Sequence, residues 1–420
     1  GLLIGSRILY RLFRDRQISR GKGTRVLIVG AGAAGDMLLK DLGRNQEIHY
    51  DVVGFLDDDP SKKGREIQGV RVLDRCAAIP QLARLLRIEL ILIAVPSASA
   101  EQMRSMVEYC ERAGIQFRTL PKVQNILDGA ASSADLRSVE LDDLLGRDPV
   151  SLDREATTEM IEGRRVLITG GAGSIGSELC RQVARLEPAE ITLLEQNEFN
   201  LYSLALELEE RFPSVRFWPL LGDVCDFESV RFIFSRYRPE IVFHAAAYKH
   251  VPMQEYFPWE AVKTNVFGTT HLANIAVKHH VEKFVLVSTD KAVKPSSVMG
   301  ATKWLAENYC QALDTLKLNS GTRFMTVRFG NVLGSTGSVV PLFQEQLANG
   351  GPLTVTHPDI QRYFMTVREA VELVLQACVL ALSPRQKANN TSEALGNLYV
   401  LDMGEPIRIQ DLAKQIIRLS

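Results

Sequence analysis

Neither sign of charge prevails in this chain of 420 residues, where 49 lysines and arginines face 50 aspartates and glutamates. That balance, with no acidic or basic tail, removes the electrostatic case for a nucleic-acid partner, so any phosphate has to be held by a local arrangement. Cysteines are few and scattered: the six (Cys76, Cys110, Cys180, Cys225, Cys310, Cys378) form no CxxC pair and no cluster with histidine at metal-site spacing. No metal is expected, and a reducing cytoplasm suits them best. Low-complexity tracts and short repeats are lacking too. So is an apolar run of membrane-spanning length. The opening Gly1-Leu2-Leu3-Ile4 and Ile8-Leu9-Tyr10 are too short to cross a bilayer, yet the flank Arg11, Arg14, Arg16 and Arg20 gives them the look of the cytoplasmic end of a transmembrane helix. An amphipathic surface helix accounts for the same residues. The chain opens without Met and stops inside a helical pattern from Ile409 to Ser420, so a longer natural chain is expected at both ends.

What the chain does have is alternation. Apolar runs at Val26–Val29, Val52–Leu56 and Leu90–Val95 are separated by amphipathic helical stretches, the pattern of a parallel sheet covered on both faces. Residues 122–163, rich in Asp, Arg and Ser, read as a connector. A second series follows at Val166–Thr169, Ile191–Leu194, Val215–Trp218, Ile241–Phe243, Phe284–Val287 and Phe324–Val327. Six such strands suit a doubly wound dinucleotide fold. Beyond Gly330 short strands at Leu353–Val355 and Leu398–Leu401 are expected to build a substrate lobe. The fold class is therefore α/β with two Rossmann-like doubly wound domains. A membrane-proximal segment would cover 1–22, the first Rossmann domain 23–121, the connector 122–163, and the cofactor-binding domain with its lobe 164–420.

Each domain opens on a glycine loop between strand and helix. Gly30-Ala-Gly32-Ala-Ala-Gly35 is followed one strand later by Asp57-Asp58-Asp59, the place of a ribose-binding acid. No catalytic residues accompany it, so nucleotide binding and a purely structural role both stand. Gly170-Gly171-Ala-Gly173-Ser174-Ile175-Gly176 has the GxxGxxG spacing of short-chain dehydrogenases, its helix N-terminus placed to hold a pyrophosphate. Glu195 ends the next strand, where a carboxylate accepts from ribose hydroxyls and repels a 2′-phosphate, favouring NAD over NADP. Asp223-Val224 ends the third strand and suits the adenine edge, and the small Ala245 and Ala246 end the fourth.

The fifth strand runs into Thr289-Asp290-Lys291, and a helix near Val298 carries Met299 and Lys303 on one face. Short-chain dehydrogenases place a Tyr-x-x-x-Lys pair there; this chain has Met in place of Tyr. With Ala-Ala-Ala-Tyr-Lys-His-Val-Pro (245–252), Thr-Asp-Lys-Ala (289–292), Arg-Phe-Gly-Asn-Val-Leu-Gly-Ser (328–335), Gly-Phe-Leu-Asp-Asp-Asp (54–59) and Asp-Leu-Leu-Gly-Arg-Asp-Pro-Val (143–150), the chain resembles the membrane-anchored bacterial UDP-N-acetylglucosamine 4,6-dehydratases of polysaccharide biosynthesis. These are extended short-chain dehydrogenases with a CoA-binding-like first domain, and the likeness covers nearly the whole chain.

The resemblance implies UDP-N-acetylglucosamine as substrate, a tightly held NAD regenerated each cycle, and a 4-keto-6-deoxy product. It casts Lys291 as base at C5, Asp290 as acid for the departing hydroxyl, Thr289 as partner of O4, and Lys303 as ligand of the nicotinamide ribose. A thioether does no acid–base chemistry near pH 7, so Met299 leaves the O4 proton to Asp290, directly or through Thr289 or water. An unperturbed Lys is protonated and an unperturbed Asp ionised at neutral pH, so both must shift or share a proton. Asn331, Ser338 and Arg362 resemble the residues that hold the uridine diphosphate, Arg by its two-pronged fork; an ordinary surface or ion-pairing role is the alternative for Arg362. Lys249 and His250 face the sugar or diphosphate, or are structural. A homo-oligomer at the bacterial inner membrane, with its catalytic domains in the cytoplasm, is expected. Two other functions compete: a UDP-sugar 4-epimerase, which normally keeps the Tyr and does not need Asp290-Lys291, and a non-catalytic module sensing NAD or sugar nucleotide.

Overall fold

Apolar strand runs flanked by amphipathic helices give two parallel sheets in the computed structural model, which describes residues 23–44, 49–120, 136–140, 143, 153–315, 321–335, 337–380 and 397–419. Contacts divide the chain into Gly1–Asp148 with Ile417–Ser420, and Pro149–Ile416. The expected segment 1–22 lies outside the described residues.

In the first unit β1 (Thr24–Val29), β2 (Tyr50–Leu56), β3 (Glu66–Ile67), β4 (Val70–Asp74), β5 (Leu90–Ile93) and β6 (Gln116–Thr119) order as β3-β4-β2-β1-β5-β6. All pairs but β3–β4 are parallel. Because side chains alternate along β1, Val26 and Ile28 bury with Leu38 and Leu42 of helix Ala33–Arg44, while Leu27 and Val29 bury with Ile79, Met103 and Val107 on the other face.

The second unit holds seven parallel strands in the order β16-β12-β11-β10-β7-β8-β9. They are β7 (Arg165–Thr169), β8 (Glu190–Glu195), β9 (Arg216–Leu221), β10 (Ile241–His244), β11 (Lys283–Val287), β12 (Arg323–Arg328) and β16 (Asn397–Val400). Val166 and Ile168 pack under helices Ser174–Ala184 and Val367–Leu380, and Leu167 packs with Phe234, Leu272 and Ala306 on the opposite face. Burying each such side chain contributes about 1.5–3 kcal/mol. The strand order reverses between β7 and β10, and that switch point opens the crevice where dinucleotide folds take their ligand.

Two strand expectations are corrected. Leu353–Val355 is no strand: Gln346 of the preceding helix accepts from the Thr354 N–H at 3.0 Å and donates to its Oγ1 at 3.1 Å, so a side chain replaces the ladder. The run at Leu398 belongs to the main sheet, paired with β12 as its seventh strand, and not to a lobe. The lobe is built instead from β13 (Asn331–Val332) with β15 (Phe364–Met365), and β14 (Gln361–Arg362) with β17 (Ile407–Arg408). Within 122–163, Arg137 bridges to Thr119 at the edge of the first sheet, and helix Arg154–Ile161 buries Ile161 in the second core.

Candidate active site

Polar residues that end the apolar strands of the second unit converge at the crevice. The loop after β7 turns back at Gly170, which has φ +63° and lies so close to Ala246 that a Cβ would sit 2.7 Å from that residue's backbone. Helix Ser174–Ala184 then begins at Gly173 with no side-chain cap, whereas Asn197 and Asp226 cap the helices after β8 and β9. A helix N-terminus that opens directly from a glycine loop is the arrangement that takes a phosphate. Glu195 accepts from Gln196 N (2.9 Å) and Asn197 N (3.0 Å) with one oxygen and from Ala172 N (3.2 Å) with the other, which fixes its carboxylate beside the glycine loop. These residues fit NAD: a helix N-terminus opening from a glycine loop for the diphosphate and an anchored acid for the ribose. Ile175 is half-buried against the core, Ala245 donates its N–H to Thr169, Val224 packs against Gly268, and Asp223 turns to accept from Cys225 N at 2.9 Å.

The Thr289-Asp290-Lys291 corner is a single hydrogen-bonded group. Thr289 Oγ1 donates to Asp290 Oδ1 at 2.9 Å; Lys291 Nζ donates to the same oxygen at 3.0 Å and to Asn331 Oδ1 at 2.9 Å. Asn331, expected as a substrate ligand, turns its amide oxygen to the lysine. Gly300 lets the Met299 helix approach: a Cβ there would lie 2.3 Å from the Lys291 carbonyl oxygen. Met299 is buried, and Lys303, one turn on, donates to Val287 O at 2.7 Å.

Burial pushes the Lys303 ammonium down from 10.5 to about 8, against the pull of Glu307 and Cys310. The unfolded chain keeps that proton up to about 10.5 and the folded one only to about 8. Folding at pH 7 therefore carries a cost of roughly 3 kcal/mol, which fades as pH rises from 8 towards 10.5. Lys303→Met should accordingly melt no lower than the parent at pH 7, and any advantage should shrink above pH 8 in a pH series of thermal melts, while its NAD affinity falls.

Several residues here were not foreseen. Asn265 lies in a π-helical turn, Val262–Gly268, of the kind that often marks a functional site. Its amide takes Tyr248 N (2.8 Å) and gives to Tyr248 O (3.0 Å) and Thr302 Oγ1 (3.1 Å), tying the cofactor wall to the Met299 helix. Thr269 Oγ1 donates to Asn265 O at 2.7 Å, so it must accept from His244 Nε2–H at 2.9 Å, which leaves His244 Nδ1 to accept from Thr169 at 2.7 Å. Burial, with Lys303 second, holds His244 neutral at a pKa of about 3. Beneath the corner Arg328 Nε donates to both oxygens of Glu307, at 2.9 and 3.1 Å, and Ser288 donates to Glu307 as well. Polar residues at otherwise apolar strand ends, Thr169 and His244, were the available signal.

The expected substrate anchors are spread along the mouth. The His250 ring packs on Gly337, where a Cβ would come within 2.6 Å, and Ser338 begins helix Val339–Ala348 without capping it, its own hydroxyl buried and unpartnered among the described residues. Burial lowers the pKa of Lys249, and burial with Lys249's charge lowers that of His250. Arg362 is exposed and donates to Gln361 O at 2.8 Å; the link from its strand to Asn331 is by backbone, Asn331 N to Tyr363 O at 3.0 Å.

Comparison with known proteins agrees with this geometry. The family described as polysaccharide biosynthesis protein matches residues 166–420, and a CoA-binding domain matches residues 1–121. The capsular polysaccharide biosynthesis protein CapD of Staphylococcus aureus is 42% identical over 100% of this chain and 68% of its own length. A UDP-glucose 4-epimerase of Rickettsia canadensis is 36% identical over 52% of this chain and 63% of its own. Among solved structures, Pen from Bacillus thuringiensis is 34% identical with a TM-score of 0.55, covering 61% of this chain and 74% of that one. The dTDP-glucose 4,6-dehydratase DesIV from Streptomyces venezuelae, solved with NAD, shares the fold at 22% identity and a TM-score of 0.51 over 60% of this chain and 80% of that one. The chain belongs to the polysaccharide biosynthesis protein family, with the fold of the extended short-chain dehydrogenases.

Proposed function

We propose that this chain dehydrates UDP-N-acetylglucosamine across C5 and C6 to the UDP-2-acetamido-2,6-dideoxy-4-keto-hexose for surface polysaccharide synthesis. The observation that carries this is the Thr289–Asp290–Lys291–Asn331 group beside a helix whose phenol is replaced by Met299. Bound NAD supplies the acceptor for the hydride of C4 and its donor to C6.

Proton balance assigns the rest. Thr289, already donating to Asp290, can accept the O4 proton while passing its own on, and Asp290 so protonated is the acid for the C6 hydroxyl, which leaves as water. Lys291 takes the C5 proton and later returns it. The cycle closes only if Asp290 starts as carboxylate and Lys291 meets C5 as a neutral amine. Asp290 and Asn331 both accept from Lys291 Nζ and so fix its position in the corner. Ser338 and Arg362, at the mouth, would take the diphosphate. An epimerase would return hydride to C4 and would have no use for an acid–base pair aimed at C5 and C6.

Placement at the cytoplasmic face of the bacterial inner membrane belongs to the same proposal. It is supported by the apolar and basic stretch Gly1–Arg20. Among the described residues no helix is long and apolar enough to cross a membrane. A homo-oligomer is also proposed, supported by the exposed Tyr256, Trp259, Trp304 and Leu305. Incubation with UDP-N-acetylglucosamine should give a C6 methyl doublet and a C4 ketone by NMR; a UDP-N-acetylgalactosamine product would favour the epimerase.

A further inference from the structure

The first glycine loop is not absorbed by this chemistry. It lines a cavity of about 460 Å³, within the size range of nucleotide sites, together with Asp57–Asp59, Lys62 and Val95–Ala98. The cavity sits at the ends of β1 and β5, where the strand order of the first sheet reverses.

The three glycines differ in what requires them. Gly30 has φ +104° and a Cβ there would lie 2.6 Å from Ala94 O; at Gly35 it would lie 2.0 Å from Gly30 O. The fold itself demands both. At Gly32 an added Cβ meets no atom within 4 Å, so packing gives no reason for glycine there. What Gly32 does leave is an open cradle in the cavity wall, directly before helix Ala33–Arg44, with no side chain of its own over the helix N-terminus.

The acids across the cavity are built in. Asp57 accepts from Ala31 N (2.8 Å), Asp59 N (2.9 Å) and Lys62 Nζ (2.8 Å), and Asp58 accepts from Cys76 N (2.9 Å). They end β2, the position that holds the adenosine ribose in dinucleotide folds. CoA carries a phosphate on that ribose. Three carboxylates against the one lysine lining the cavity do not fit it, whatever the family's description.

We propose that this cavity binds a nucleoside diphosphate with an unphosphorylated ribose, its phosphates on the Gly32 loop and its ribose hydroxyls on Asp57, and that it rejects CoA. The site stands independently of the catalytic reading. Hydrogen–deuterium exchange of the full chain with ADP, UDP or CoA tests it, because peptides covering 24–36 and 50–62 report this site and those covering 165–176 the other. ADP or UDP should slow exchange in the first pair, and CoA should not. Gly32→Asp supplies a helix cap and a carboxylate where the phosphate sits, so it should hold or raise the melting temperature yet weaken that nucleotide by at least about tenfold. Protection by CoA equal to that by ADP or UDP, no protection by either nucleotide, or unchanged affinity in a folded Gly32→Asp variant would overturn the proposal.

Discussion

Asp290→Asn is expected to lower the rate of dehydration about a thousandfold, with NAD and UDP-sugar affinities little changed, since a positioned acid–base group contributes 10²–10⁴. The loss should fall on the first step. Thr289 would still face an amide at the 2.9 Å contact, but that amide cannot receive the O4 proton. Lys291→Met should be as slow overall and fail differently. Here O4 can still give up its proton through Thr289, so a 4-keto sugar retaining its C6 hydroxyl should build up to the level of the enzyme, while deuterium from solvent no longer enters C5. Quenched samples read by mass spectrometry and NMR separate the two variants. The double variant should be slower than either single variant by far less than the product of the two losses, because the two residues act together as one acid–base unit. Equal build-up of the keto sugar in both single variants would contradict the division of labour.

The second large effect is on stability. Glu307 is about 1% exposed and carries Arg328 and Ser288. Glu307→Ala leaves a guanidinium with little access to water and no carboxylate, which should cost about 3–5 kcal/mol. Urea unfolding should show a lower midpoint with an unchanged slope. Removing both charges with Glu307→Leu and Arg328→Met should recover much of that loss, because no charge is then stranded. Recovered stability without recovered activity would show that the pair also holds the corner: Ser288 directly follows β11, Arg328 ends β12, and Asp290 N donates to Phe329 O at 3.0 Å just above them.

How much of this the residues announced depends on how local each feature is. Strands such as Val166–Thr169 were legible because a strand covered on both faces must be apolar along its length. The run at Leu398 was legible as a strand but not as a member of the main sheet, since pairing with β12 is set by the whole topology and the run is only partly buried. Thr289-Asp290-Lys291 was legible because its chemistry is contiguous. The contact of Asn331 with Lys291 was not legible, because it spans 40 residues and follows from β13 lying beside β15. Glu307 sits on the buried face of its helix, between Ala306 and Cys310, where periodicity calls for an apolar residue; nothing local names Arg328 as its partner. Asn265 was hidden for a similar reason. The π turn that aims its amide at Tyr248 is a departure from the regular period that sequence patterns assume.

One isotope measurement bears on the whole account most directly. UDP-N-acetylglucosamine carrying deuterium only at C4 is incubated with the chain, and the product is read by NMR. The account predicts that the label reappears at C6 of the same molecule, in the new methyl group, because one held cofactor takes the hydride and gives it back. Label returned to C4 of a sugar that keeps its C6 hydroxyl, or lost to solvent, would contradict it.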